Sequence, residues 1–244
     1  MSRALPHPLI VGHRGMSGRA ENSLAAFAAA IALGVDAVEF DVRRTLDGRL
    51  VAWHDDRLPS GELISAVTAL HARETVPHLA LVREVAESCA DSGVTLQVDL
   101  KEIGGELESV AEVEGVVGAD RMFVTTLEDV SVRTLKRARP DLRVGLSLGA
   151  NRPGDTWLRR GLEIVPWRRV ARCGADLLSV QHRLAAQGLF LQARALGFPV
   201  FVWTVDDPAR MERLLRWRGL TGLISNRPDL ALAARRRALG AAAK

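Results

Sequence analysis

The sequence of 244 residues contains no tyrosine, which removes phenolic acid/base catalysis and a tyrosyl nucleophile. It has two cysteines, Cys89 and Cys173, 84 positions apart, so neither a disulfide framework nor a thiolate metal cluster is expected. Reduced thiols in a cytoplasmic protein are the simplest reading. Lysine is scarce, with Lys101, Lys136 and Lys244 the only examples, and basic residues exceed acidic ones by just 33 to 29. A long apolar run is also missing. The best candidate, residues 22–35, is uncharged for 14 positions, short of the roughly 18 that span a bilayer, so no membrane insertion is expected. The first residues, MSRALPHPLIVGHRG, carry two prolines and lack the apolar core and cleavage site of an export signal. Arg235-Arg236-Arg237 is too short a basic run to argue for nucleic acid and reads as a solvated helix end.

What the chain does have is 48% hydrophobic residues, distributed as short Val/Leu/Ile runs alternating with longer Ala/Leu-rich segments. That is the pattern of βα units around a parallel sheet. Strands are expected at 9–12, 37–42, 50–53, 95–100, 122–125, 143–147, 176–180, 200–204 and 222–225. Eight such strands close a (β/α)8 TIM barrel of about 250 residues, so one of the nine is an extra element. Residues 37–42 and 50–53 are joined only by RRTLDGR, whose Asp47-Gly48 pair signals a hairpin. The run at 50–53 is therefore expected to be antiparallel. With Asp47-Gly48 as a two-residue turn, Leu46 faces Arg49 and Asp41 lies opposite His54. Residues 55–76 read as a loop with a short helix, and Pro77 as the opening of the next helix. No linker or composition shift divides the chain, so a single domain over 1–244 is expected, with a short insertion around 43–76.

The chemistry is concentrated at strand ends. His13-Arg14-Gly15 closes the first strand. Glu39 and Asp41 share one face of the second, and Asp99 and Lys101 share one face of the strand at 95–100. Carboxylates inside an apolar barrel need a cation or a proton, and three of them without cysteine favour an oxygen-seeking divalent ion, Mg²⁺, Ca²⁺ or Mn²⁺. Arg14 and Lys101 add positive charge suited to a phosphate. His13 and His54 can exchange protons near neutral pH. Together these groups suggest phosphodiester cleavage.

The sequence resembles the glycerophosphodiester phosphodiesterases, a family of TIM barrels of the phosphoinositide phospholipase C type. The likeness runs through eight ordered blocks: HRG at 13–15, ENS at 21–23, EFD at 39–41, HD at 54–55, VPHLALVREV at 76–85, VDLK at 98–101, VWTVDDP at 202–208 and SNRPD at 225–229. The resemblance implies metal-dependent hydrolysis of a small-molecule glycerophosphodiester to glycerol 3-phosphate and an alcohol. It implies His13 and His54 as the acid/base pair, Glu39, Asp41 and Asp99 as ligands of one divalent cation, and Arg14 and Lys101 as phosphate contacts. Trp203 falls beside the glycerol or alcohol portion, and Asn22 braces the His13 loop.

Three departures from the family pattern stand out. Asp99 replaces a glutamate, Asn226 replaces an aspartate, and the segment after His54 lacks a Thr- and Gly-rich turn. The missing turn keeps open a lysophospholipid substrate, and the two replacements keep open a barrel that binds a phosphorylated metabolite without turning it over. His7, His71, His78 and His182, and the tryptophans at 53, 157, 167 and 217, read as structural.

Overall fold

The computed structural model describes residues 7–150 and 163–242; Trp157 and the first six residues lie outside them. Its frame is a closed ring of parallel strands: β1 (Leu9–His13), β2 (Ala37–Arg44), β4 (Thr95–Leu100), β5 (Met122–Thr126), β6 (Val144–Leu148), β7 (Leu177–Gln181), β8 (Val200–Trp203) and β9 (Gly222–Ser225). Pairing of β1 with both β9 and β2 closes the ring. The short β3 (Leu50–Ala52) pairs antiparallel with β2 outside it. Around the ring stand α1 (Leu24–Ala32), α2 (Ala69–Thr75), α3 (Val82–Cys89), α4 (Glu106–Val117), α5 (Asp129–Ala138), α6 (Trp167–Cys173), α7 (Phe190–Ala195), α8 (Pro208–Leu215) and α9 (Pro228–Ala242). This is the expected TIM barrel with one extra strand. No helix among the described residues is long and apolar enough to cross a membrane.

Strand alternation divides the core in two. Ile10, Val38, Phe40, Val98, Val124, Leu146, Leu178 and Val202 point outward into the layer beneath the helices. The inward set begins with an apolar plug of Val11, Ala37, Phe123, Leu177, Phe201 and Ile224. Phe123 and Phe201 stack with centroids 4.9 Å apart. Two glycines make room for this plug, since a Cβ at Gly145 would come within 2.3 Å of Leu177 and one at Gly222 within 2.5 Å of the Phe201 ring. Above the plug the inward residues turn polar: Glu39, Gln97, Thr125, Ser147 and Ser179. The barrel is thus stoppered below and polar above, which points to the strands' C-terminal ends as the place for chemistry.

Two sequence expectations need correction. The hairpin pairs Val42 with Ala52 and Arg44 with Leu50, so Asp41 faces Trp53, not His54. The turn has three residues, because Gly48 N–H donates to Thr45 O, Thr45 N–H donates to Arg49 O, and Gly48 takes φ 77°. An Asp-Gly pair serves this bulged turn as well as the two-residue one. The second correction concerns Pro77, which does not open a helix; α3 begins at Val82, where Glu84 Oε2 accepts from the Leu81 N–H at 2.8 Å. The segment from β3 to α3 builds a core of its own from Val51, Leu58, Ile64, Val67, Ala72, Val76 and Leu79, with Trp53 packed against it.

Candidate active site

The site starts where β1 ends. After His13 the backbone turns through Arg14 at φ 50° and Gly15 at φ 87°. A Cβ on Gly15 would lie 2.6 Å from the backbone of Ala26 in α1, so the turn excludes any side chain there. Gly15→Ala should therefore cost at least about 2 kcal/mol, read as a fall in Tm of roughly 4–8 °C; an unchanged Tm would contradict this account. The 21–23 block holds the turn from the other side. Glu21 accepts from Arg14 Nη1 at 2.8 Å, and Asn22 N–H donates to Arg14 O at 3.1 Å. Asn22 Nδ2 also donates to Asp41 Oδ2 at 2.8 Å, while Ser23 caps α1. Asn22 thus braces the loop and one of the carboxylates together.

Glu39, Asp41 and Asp99 converge, each offering a carboxylate oxygen within 4.8 Å of the others. Register dictates this, since Asp41 pairs with Asp99 across β2 and β4, and Glu39 lies one inward step below Asp41. Two cations answer them. Arg14 Nε lies 2.9 Å from Asp41 Oδ2, and Lys101 Nζ lies 2.7 Å from Asp41 Oδ1 and 2.5 Å from Asp99 Oδ2. Burial works against charge on both Asp41 and Lys101, but the ion pairs prevail: Asp41 is held well below the usual carboxylate range and Lys101 well above the usual ammonium range. Glu39 goes the other way. Burial, then the negative charges of Asp41 and Asp99, push its carboxyl well above the ordinary value. Three carboxylates facing two cations leave the cluster one positive charge short of neutral, and the deficit falls on Glu39.

His13 is half-buried, and desolvation together with the Arg14 charge lowers its pKa, which favours the neutral ring. Its Nδ1 lies 2.7 Å from Asn226 Oδ1 and its Nε2 3.9 Å from Glu39 Oε2. His54 follows β3 at the cavity's edge, more exposed, with Nδ1 2.7 Å from Asp55 Oδ1. The hairpin slip does not remove it from the site: both imidazoles line one cavity of about 340 Å³ together with Arg14, Glu39, Asp99, Lys101 and Trp203.

All eight residues singled out in the sequence therefore meet, Asp41 from beneath the cavity wall. Sequence reasoning missed Gln97, Ser147, Ser179 and Gln181, which also line it. For Gln97 a signal was available, since it lies two positions before Asp99 on the same strand face. Gln97 Nε2 donates to Thr125 Oγ1 at 3.1 Å, and Thr125 Oγ1 donates to Asp99 Oδ1 at 2.5 Å, which fixes the shortened carboxylate. Gln97 Oε1 is buried without a hydrogen-bond partner, and so is the Trp203 indole N–H.

The bland readings hold elsewhere. His182, near the rim, contacts Thr204 O at 3.0 Å and Arg210 Nη1. Trp167 and Trp217 pack on Phe198 and Phe190. Arg235 and Arg237 of the basic run pair with Asp36 and Glu212, tying α9 to the barrel. Both cysteines are free and buried.

The profile of the Glycerophosphoryl diester phosphodiesterase family matches residues 13–230. The chain belongs to this family. It is 28% identical to a glycerophosphodiester phosphodiesterase of Caldanaerobacter subterraneus, over 91% of this chain and 95% of that protein. Two solved structures share the fold. One is a glycerophosphodiester phosphodiesterase of Parabacteroides distasonis, with TM-score 0.78, 21% identity, and coverage of 95% of this chain and 98% of that one. The other is a phosphodiesterase of Oleispira antarctica in complex with its product sn-glycerol-3-phosphate, with TM-score 0.74, 22% identity, and coverage of 93% and 96%. Within the family frame, the HRG, ENS, EFD and VDLK blocks are the residues that build the acidic cluster and its cations.

Proposed function

We propose that the chain hydrolyses glycerophosphodiesters to glycerol 3-phosphate and an alcohol, with a divalent cation held by Glu39, Asp41 and Asp99. The observation that carries this reading is the incomplete neutralisation of the three carboxylates, with Glu39 as the unmatched member. A hard divalent ion supplies the missing charge, and carboxylate oxygens suit it. Such an ion contributes electrostatic stabilisation of charge developing on the phosphoryl oxygens. Arg14 and Lys101, poised beside Asp41, present positive charge to the phosphate. The unpartnered Gln97 Oε1 accepts from a glycerol hydroxyl, and the Trp203 N–H donates to a substrate oxygen.

Proton transfer divides between the imidazoles. His13 is neutral, with Nδ1 engaged by Asn226, and takes at Nε2 the proton of the attacking glycerol hydroxyl or water. His54, backed at Nδ1 by Asp55, gives a proton to the departing alcohol oxygen. The serine, glutamine and threonine side chains lining the cavity favour a deacylated, water-soluble diester over a lysophospholipid.

Incubation with glycerophosphocholine or glycerophosphoethanolamine is expected to release glycerol 3-phosphate, to stop on addition of chelator and to resume with Mg²⁺, Ca²⁺ or Mn²⁺. Absence of turnover with all three ions would overturn the assignment.

A further inference from the structure

The blocks at 202–208 and 225–229 place no residue among the carboxylates, yet they meet directly behind His13. Asp206 is fixed by three donors: Ser225 Oγ at 3.0 Å, the Asn226 backbone N–H at 2.9 Å and Asn226 Nδ2 at 2.8 Å. A carboxylate at this place only accepts, so the amide of Asn226 has one permitted orientation, with its NH₂ toward Asp206. Its carbonyl oxygen is then the atom presented to His13 Nδ1 at 2.7 Å. An amide oxygen also only accepts, so Nδ1 must carry the ring proton and Nε2 must carry the lone pair. The Asn226 backbone is itself anchored, its carbonyl accepting from Ser17 N–H at 2.8 Å.

The geometry points to Asp206 and Asn226 as a pair of positioning residues that together select the His13 tautomer able to accept a proton at Nε2, a role that rests on His13 being the base. In the step assigned above, the substrate O–H bond breaks, a bond from that proton to Nε2 forms, and the ring gains one positive charge while Nδ1–H continues to donate to Asn226. The order of the two side chains matters. An aspartate at 226 would face Asp206 as a second carboxylate. An asparagine at 206 would present its own NH₂ to residue 226 and turn the Asn226 amide over, offering His13 a donor in place of an acceptor. That would force the proton onto Nε2, where the Glu39 carboxylate lies 3.9 Å away, and abolish the base. Exchanging both residues restores the sequence of donors and acceptors, because the amide then at position 206 would donate to the carboxylate then at position 226, which accepts from Nδ1.

The test uses the full chain, ¹⁵N-labelled at histidine, with Mg²⁺. Two-bond ¹H–¹⁵N spectra read the tautomer, and the His13 signal is identified by its disappearance in His13→Gln. Wild type should show the Nδ1–H form and Asp206→Asn the Nε2–H form, with kcat on glycerophosphocholine lower by about 10²-fold and KM changed by less than about threefold. The double exchange Asp206→Asn with Asn226→Asp should return the Nδ1–H form and most of kcat. A ring that stays Nδ1–H in Asp206→Asn overturns the inference, as does a folded double variant that stays Nε2–H. If the exchange variants fail to fold, Asn226→Ala decides, since Nδ1–H then has no acceptor: a ring moved to Nε2–H upholds the inference and an unmoved one overturns it. Tautomers that follow this scheme in a protein without turnover would uphold it while overturning the assigned reaction.

Discussion

His13→Ala should lower kcat/KM for glycerophosphocholine by at least about 10²-fold, the usual weight of a positioned acid or base. His54→Ala should show a loss of similar size on this substrate. The two variants separate when the departing alcohol is changed. An aryl ester of glycerol phosphate leaves as a stable phenolate and needs no proton, so His54→Ala should recover most of its rate on it, whereas His13→Ala should not. The asymmetry follows from where the rings sit: His13 is half-buried against the acidic cluster with Nε2 3.9 Å from Glu39, and His54 is more exposed beside Asp55. Equal rates for both variants on the aryl ester would refute the division of labour.

The second large effect sets two neighbouring carboxylates against each other. Glu39→Gln should raise the Tm of metal-free protein, and Asp41→Asn should lower it, although both suppress divalent-ion binding and turnover. The surroundings of Glu39 oppose charge on its carboxyl. Its raised folded pKa means that its contribution to stability is present below the ordinary glutamate range and is lost as pH rises through the folded value. A neutral isostere keeps the oxygen that accepts from Arg14 N–H and removes the cost, at least about 1 kcal/mol or roughly 2–4 °C. Asp41 has the opposite sign. Its lowered folded pKa gives stability above the ordinary aspartate range that is lost as pH falls. Its replacement leaves Arg14 and Lys101 half-paired, a loss of about 3–5 kcal/mol. Thermal melts in chelator at neutral pH check both signs, and a shared sign would refute the charge accounting.

The barrel was legible in the sequence because short buried apolar runs precede polar C-terminal ends in staves such as β5 (MFVTT) and β9 (GLIS). Side-chain alternation was enough to bring Glu39, Asp41 and Asp99 together without any knowledge of distances. Turn geometry was not legible. RRTLDGR is compatible with two hairpin lengths, and only the Thr45–Arg49 pairing distinguishes them. The helix expected at Pro77 failed for a related reason, because a proline fits a loop as well as a first helical turn, and the Glu84 contact to the Leu81 N–H fixes the start five residues later. Gln97 and Asp206 escaped notice because their importance lies in atoms left over or directed by neighbours distant in the chain. Asn226 was visible as a departure, but its meaning depends on Asp206, twenty positions earlier.

His54 stands between the ring and the separate apolar cluster of Val51, Leu58, Ile64 and Val67, while His13 and the acidic triad are mounted on the staves themselves. Foundations so divided give the molecule two workshops. Under the proposed reaction, changes in the annex would re-tailor the pocket for the departing group while the staves that carry the phosphate contacts stay put.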